Sequence, residues 1–118
     1  MYDYERNIRT SEKANVADDL AIIAGTISRL LPQSKVYIFG SCANGKLYPE
    51  SDIDLCVVVP TLERNRFEIM DEIREAIYGK TKYPVDLLLF SALEFDKNTA
   101  SKSKIQYEIA REGVLLNV

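Results

Sequence analysis

Apolar residues recur at helical spacing in the first third of the chain. They advance by alternating steps of four and three residues, which places them on one face of a helix: Val16, Leu20, Ile23, Ile27, Leu30. The pattern predicts a helix that begins near Thr10 or Ser11. It ends before Pro32, because proline has no N–H to continue the hydrogen-bond ladder.

Three short runs of β-branched, aliphatic and aromatic residues predict buried strands at residues 36–39, 53–59 and 85–90. A second helix is predicted over residues 61–78, ended by Gly79, and a third over residues 101–111, with Ile105 and Ile109 facing inward. The apolar end at residues 114–116 either covers the sheet or offers a docking edge. This order predicts an α/β (α+β) fold with a small mixed sheet flanked by helices, in one domain spanning residues 1–118.

Composition excludes several kinds of chemistry. The 118 residues include no histidine, which removes Ser-His-Asp and Cys-His catalysis and histidine zinc sites. Cys42 and Cys56 are spaced neither as a zinc site nor as a redox pair, so both are expected to be reduced packing residues. The net charge of −3 offers no global positive field, and direct nucleic-acid binding is not expected. Neither a signal peptide nor a membrane-length apolar stretch is present, so we expect a cytoplasmic protein with no membrane partner.

Three acidic residues stand in or beside the predicted strands, where an unpaired carboxylate is costly: Asp52, Asp54 and Asp86. Asp52 and Asp54 are two residues apart, so an extended chain projects both from the same face. If the strand of Asp86 pairs with theirs, three carboxylates cluster, and such an all-oxygen site favours magnesium or manganese. The alternative is that Asp52 caps a turn, Asp54 faces solvent and Asp86 pairs with Lys80 or Lys82.

A glycine and a serine follow the first predicted strand. Gly40 allows close backbone approach to a ligand, and the Ser41 hydroxyl with N–H groups at a helix start can bind phosphate oxygens. A Gly-Ser pair alone is a weak signal. Its combination with the acids at a fixed spacing is much more specific.

Gly40-Ser41, ten intervening residues and Asp52-Ile53-Asp54 resemble the signature of the nucleotidyltransferase superfamily that includes DNA polymerase β. The loop at residues 40–45 and the segment at 51–55 are most similar to the minimal nucleotidyltransferases of the antitoxin type, found beside HEPN-domain toxins. The likeness extends over nearly the whole chain, including Asp86 and residues 110–116. One departure is Asn44, where the small branch usually has arginine; Lys46 is a candidate substitute.

The resemblance implies binding of ATP with two Mg²⁺ ions and transfer of AMP to an acceptor hydroxyl, with release of pyrophosphate. Asp52 and Asp54 would hold the metals, and Asp86 would bind the second metal and orient the acceptor. Gly40 and Ser41 would hold the β- and γ-phosphates. Larger members append a helical domain that completes the substrate site, and this chain is too short for one, so the acceptor is expected from elsewhere.

For the minimal branch the implied acceptor is a tyrosine of a HEPN-domain toxin, bound in a hetero-oligomer. Two alternatives stay open. The first is a transferase acting on a small molecule such as an aminoglycoside. The second is an antitoxin that acts by binding without catalysis, which the departure at Asn44 keeps open.

Overall fold

The computed structural model describes residues 4–40, Ala43 and residues 52–117, with side chains from residue 16 onward. In chain order the elements are α1 (Tyr4–Leu30), β1 (Lys35–Phe39), β2 (Ile53–Val59), α2 (Arg66–Ile77), β3 (Val85–Ser91), α3 (Ala92–Asn98), α4 (Ile105–Glu112) and β4 (Val114–Leu115).

The four strands form one mixed sheet in the order β3-β2-β1-β4. β2 and β3 are parallel, and β1 is antiparallel to both β2 and β4. The predicted fold class, a small mixed sheet flanked by helices, is therefore confirmed. No helix in the described ranges is both long and apolar enough to cross a membrane.

Helices cover both faces of this sheet, because side chains along a strand alternate between its two faces. On one face, alternate strand residues such as Val36, Leu55 and Leu87 join the buried sides of α1 and α2 in the larger apolar cluster. On the other face, Phe39 and Cys56 pack with Phe95 of α3 and Ile109 of α4. The result is a three-layer arrangement with the sheet in the middle.

The predicted strands agree with the structure to within one residue, whereas the helix ends differ. α1 begins at Tyr4, ahead of the apolar pattern, since charged residues also favour helix. α2 begins at Arg66 because the Asn65 side chain accepts hydrogen bonds from the N–H groups of Phe67 and Glu68. Gly79, with φ of 78°, follows α2 as predicted.

The sequence pattern was wrong about Ile105, which is 38% exposed because it lies on the outer side of the first turn of α4. α3 was not predicted. Its start is a capping box in which the Ser91 hydroxyl accepts from the N–H of Glu94, 3.2 Å, and the Glu94 carboxylate accepts from the N–H of Ser91, 3.0 Å.

The C-terminal segment completes the sheet. Val114 and Leu115 pair with β1 as the edge strand β4, and Leu116 packs against the larger apolar cluster, so this segment is part of the sheet and its core. The alternative that it offers a docking edge stays a prediction. Beyond them the Asn117 side chain accepts a hydrogen bond from the N–H of Val36, 2.7 Å, and donates to the carbonyl oxygen of Ser34, 2.9 Å, and to the hydroxyl of Ser28, 2.8 Å. These bonds tie the end of the chain to α1 and to the start of β1.

Candidate active site

The register of the parallel strands brings two of the predicted acids together. Asp54 is the second residue of β2, Asp86 is the second residue of β3, and the two are direct partners in the register. Neighbouring strands lie about 4.8 Å apart, so the two carboxyl groups project side by side from one face. The strand of Asp86 therefore does pair with that of Asp54, which was the condition for an acid cluster at this place.

This pair sits at an open corner of the sheet. Cys56 and Phe39 are on the same face and are covered by α3 and α4, while Asp54 is half-buried and Asp86 is exposed. Asp52 precedes β2 directly and is also exposed. Within the described chain Asp86 forms no ion pair with Lys80 or Lys82, which removes the salt-bridge explanation for this acid.

Gly40 brings the backbone of the loop after β1 against the Asp54 carboxylate. Phe39, its predecessor, is the register partner of Asp54. A Cβ built on Gly40 would collide with Oδ2 of Asp54 and lie only 3.4 Å from its Cγ. Gly40 also has φ of 72°, a left-handed conformation that side chains disfavour. Glycine is therefore required here for two separate reasons, and the backbone at Gly40 lies close to whatever the acids bind.

The carboxylates at this corner of the sheet lie close enough to repel one another. Burial raises the pKa of Asp54 most, and the charges of the neighbouring carboxylates of Asp86 and Asp52 raise it further. A hydrogen-bond interaction with Asp86 and, with the smallest contribution, the charge of Glu108 act in the same direction. The contribution of Glu108, on α4, was not foreseen, because its approach to β2 depends on how α4 packs on the sheet. A divalent cation would relieve this repulsion.

The carboxylates at this corner are suitable ligands for a divalent cation, but those in the described residues are not arranged as a complete metal site. Carboxylate oxygens are the ligands that Mg²⁺ and Mn²⁺ prefer, and the corner offers three residues that carry them. Among residues 16–40, Ala43 and 52–117, however, no group of three acids, histidines or cysteines is arranged to hold a metal ion. The observed arrangement is the adjacent pair of Asp54 and Asp86, with Asp52 within electrostatic range.

Two further predictions have different outcomes. Ser41, Cys42, Asn44 and Lys46 lie outside the described residues. Cys56 is a free cysteine, fully buried, and its burial raises the pKa of the thiol to about 12. A thiol in this state is a packing residue with negligible thiolate at neutral pH, in agreement with its expected role.

A family model for the nucleotidyltransferase domain matches residues 20–112. The chain therefore belongs to the nucleotidyltransferase domain family. The matched range contains every residue that the sequence predicts for the site, from Gly40 to Asp86.

Two solved structures are similar to this chain. A protein from Sulfolobus solfataricus assigned to the nucleotidyltransferases is 26% identical, with a TM-score of 0.62 over 91% of this chain and 84% of that one. A chain of a toxin–antitoxin structure with AMP-PNP is 23% identical, with a TM-score of 0.55 over 85% of this chain and 73% of that one, a likeness of fold. None of the curated proteins matches the chain.

Proposed function

We propose that residues 1–118 form a single magnesium-dependent nucleotidyltransferase domain whose reaction takes place at the corner of Asp52, Asp54 and Asp86. The observation that carries this proposal is the direct pairing of Asp54 with Asp86, with the backbone of Gly40 packed against Asp54. An acceptor oxygen attacks the α-phosphorus of a nucleoside triphosphate, the bond from that phosphorus to the bridging oxygen of the β-phosphate breaks, and pyrophosphate leaves. The acceptor loses its proton in the same step.

Each residue has a distinct role in this reaction. Asp52 and Asp54 would hold Mg²⁺, and Asp86 would contribute a further carboxylate ligand. Asp86 also accepts a hydrogen bond from the acceptor hydroxyl, which orients the acceptor, and it receives the proton that the acceptor loses. Gly40 and Ser41 bind the β- and γ-phosphates through N–H groups and the serine hydroxyl. When bound, the two ions supply positive charge that stabilises the attacking and leaving oxygens.

We propose ATP as the nucleotide and a tyrosine hydroxyl of a HEPN-domain toxin as the acceptor, which makes this chain an antitoxin in a hetero-oligomer. The nucleotide part is supported by the fold likeness to the toxin–antitoxin structure that contains AMP-PNP, an ATP analogue. The acceptor part rests on the resemblance of the sequence motifs to antitoxins of this type. The cytoplasm, where ATP and Mg²⁺ are abundant, is the compartment in which this reaction would run.

The test is transfer of label from [α-³²P]ATP, in the presence of Mg²⁺, to the purified product of the neighbouring gene, which the proposal expects to be a HEPN-domain protein. Wild type should label the partner, and Asp54→Asn should reduce labelling by about a hundredfold or more, because a charge essential in the transition state is lost. Asp71→Asn is the matched control, since Asp71 is an exposed acid on α2. A parallel reaction with aminoglycosides tests the small-molecule alternative.

Equal labelling by wild type and Asp54→Asn would overturn the assignment of the site. Labelling of an aminoglycoside but not of the protein would overturn the proposed acceptor. Neutralisation of the toxin without any labelling, undiminished in Asp54→Asn, would show an antitoxin that acts by binding.

A further inference from the structure

β3 is an edge strand of the sheet. It ends the strand order β3-β2-β1-β4, so among the strands of the described chain it has a neighbour on one side only. It is seven residues long, Val85–Ser91, and it stays in register with β2 over its whole length, without a bulge. An edge of this kind presents a row of backbone groups that can pair with another strand.

The unpaired groups of this edge belong to alternate residues. The carbonyl oxygen of Pro84 accepts a hydrogen bond of 2.8 Å from the N–H of Ile53, so the backbone of residue 84 points towards β2. Along a strand the backbone groups point alternately to its two sides, and the even-numbered residues that follow therefore also point towards β2. Val85, Leu87 and Leu89 direct their N–H and C=O groups outward, where no described residue bonds to them.

The two edges of the sheet differ in how they are protected. Proteins usually keep an edge strand unpaired by making it short or by giving it charges, proline or a bulge. At the opposite edge, β4 has only two residues, and the Asn117 side chain takes up the N–H of Val36 and the carbonyl oxygen of Ser34 beyond it. β3 carries one charge, at Asp86, and continues as Leu-Leu-Leu-Phe-Ser. Its edge is therefore suited to pairing.

The sequence of β3 suits antiparallel pairing with itself. When a two-fold axis passes through the pair of Leu88 residues, Leu87 of each copy faces Leu89 of the other. Both of these residues have outward backbone groups, as a hydrogen-bonded pair requires. Leu88 faces its own counterpart as an apolar pair. The one charged residue, Asp86, faces Phe90, so no like charges meet across the axis.

Exposed apolar side chains near both ends of β3 add to such a contact. Tyr78 and Leu93 are the most exposed large apolar residues in the described ranges, at 88% and 78%. Tyr78 lines a cavity of about 520 Å³ together with Val85, the first residue of β3, and Leu93 lies in α3, two residues after the end of β3. A two-fold axis brings the start of β3 in one copy to its end in the other, so both side chains are placed near the contact.

We propose that this chain forms a symmetric dimer through antiparallel pairing of β3 with β3 of a second copy, which joins two four-stranded sheets into one. The second copy is the occupant that this edge fits, because the register centred on Leu88 satisfies outward hydrogen bonds, apolar contacts and charge together. The pairing also places Phe90 of the second copy beside Asp86. The inference does not depend on the proposed reaction, since it rests on the sheet edge.

Sedimentation equilibrium of the full chain over a range of concentrations measures the association. Wild type should reach the mass of two chains. Leu88→Lys should weaken the association about tenfold or more, because two like charges replace the apolar pair on the axis. Leu88→Glu should do the same, and an equimolar mixture of the two variants should recover dimers, because opposite charges then face each other. Circular dichroism checks the fold of each variant, since Leu88 packs against the smaller apolar cluster.

Val114→Lys is the matched control. Val114 is 44% exposed and lies in β4, at the other edge of the sheet. The same new charge at that edge should leave the association of the chain like that of wild type.

Amide hydrogen exchange tests the same contact in wild type, without a substitution. The N–H groups of Leu87 and Leu89 point outward, so their exchange should slow about tenfold or more as rising concentration forms dimers. The N–H of Leu88 points towards β2 and should exchange slowly at every concentration. This measurement decides the question if the Leu88 variants do not fold.

Wild type that remains a single chain at every concentration, with exchange at Leu87 and Leu89 independent of concentration, would overturn the proposal. Folded Leu88 variants that associate like wild type would also overturn it. If Val114→Lys dissociates the dimer and Leu88→Lys does not, the contact lies at the β4 edge and the inference is wrong. If exchange at Leu87 and Leu89 slows only when a different protein is added, the edge belongs to that partner and not to a second copy.

Discussion

Replacing Asp54 by asparagine should make the protein more stable at neutral pH, although it removes a residue of the proposed active site. Burial and the nearby carboxylates raise the pKa of Asp54 in the folded protein. When the pKa of a carboxyl group is higher in the folded protein than in the unfolded chain, the folded protein binds more protons at intermediate pH. The free energy of unfolding therefore falls as the pH rises from the pKa of the unfolded state through the pKa of the folded state. This loss of stability is complete above the pKa of the folded state and absent below the pKa of the unfolded state.

The size of the effect follows from the register. Asp54 and Asp86 are direct partners on neighbouring strands, so their charges are separated by roughly 5 Å. Coulomb's law then gives about 0.8 kcal/mol in water and about 3 kcal/mol at an effective dielectric constant of 20. Since Asp86 is exposed, the lower end applies, and Asp54→Asn should gain on the order of 1 kcal/mol, a Tm rise of about 4 °C.

The assay is thermal unfolding with EDTA and with Mg²⁺, at a pH near 7.5 and at a pH below the ordinary pKa of aspartate. Without Mg²⁺ the variant should melt higher than wild type near pH 7.5, and the gain should disappear at the acidic pH. Mg²⁺ should stabilise wild type more than the variant. Asp71→Asn, in an exposed pair with Arg74, should change stability by less than about 0.5 kcal/mol. A lower Tm for Asp54→Asn near pH 7.5 would refute the idea that repulsion governs this corner.

Three further outcomes are expected. Gly40→Ala should lower the free energy of unfolding by about 1 kcal/mol or more, because the new methyl group meets the Asp54 carboxylate in a left-handed backbone conformation. For the same reason it should weaken Mg²⁺-dependent binding of α,β-methylene-ATP, an ATP analogue that cannot transfer AMP. Thermal melting measures the first effect and calorimetry the second. Asn117→Ala should lower the free energy of unfolding by about 1–3 kcal/mol in urea titrations, because Val36 loses the acceptor for its N–H and other polar partners are left unpaired; an equal stability would contradict this. Cys56 should react with a thiol reagent only at the rate of unfolding, since it is fully buried with a pKa of about 12, and rapid labelling of this residue in the native protein would be inconsistent with its position.

The strands and the two principal site acids could be predicted because their signals are local. Asp54 and Asp86 each interrupt an apolar run, and period-2 alternation fixes the face to which each side chain points. Their direct pairing required the register of β2 and β3, which depends on packing between segments about thirty residues apart and is visible only in the structure.

Other features of the fold and the site could be predicted from the sequence to different degrees. The spacing of Ser91 and Glu94 is a capping-box signature that could have identified α3. In contrast, β4 is two residues long and exists through pairing with β1, and the effect of Glu108 on Asp54 depends on where α4 lies on the sheet. The cavity beside Tyr78 likewise joins the end of a helix to the start of a strand, which no local pattern indicates.

The central claim is that the corner formed by Asp52, Asp54 and Asp86 binds the metal–nucleotide complex. Its most direct test is titration with Mn²⁺, a paramagnetic substitute for Mg²⁺, in the presence of α,β-methylene-ATP, with free and bound metal measured by electron paramagnetic resonance. Wild type and Asp71→Asn should bind two Mn²⁺ ions per chain, and Asp54→Asn should lose at least one of them. Equal Mn²⁺ binding by wild type and Asp54→Asn, or no binding by wild type, would contradict the account.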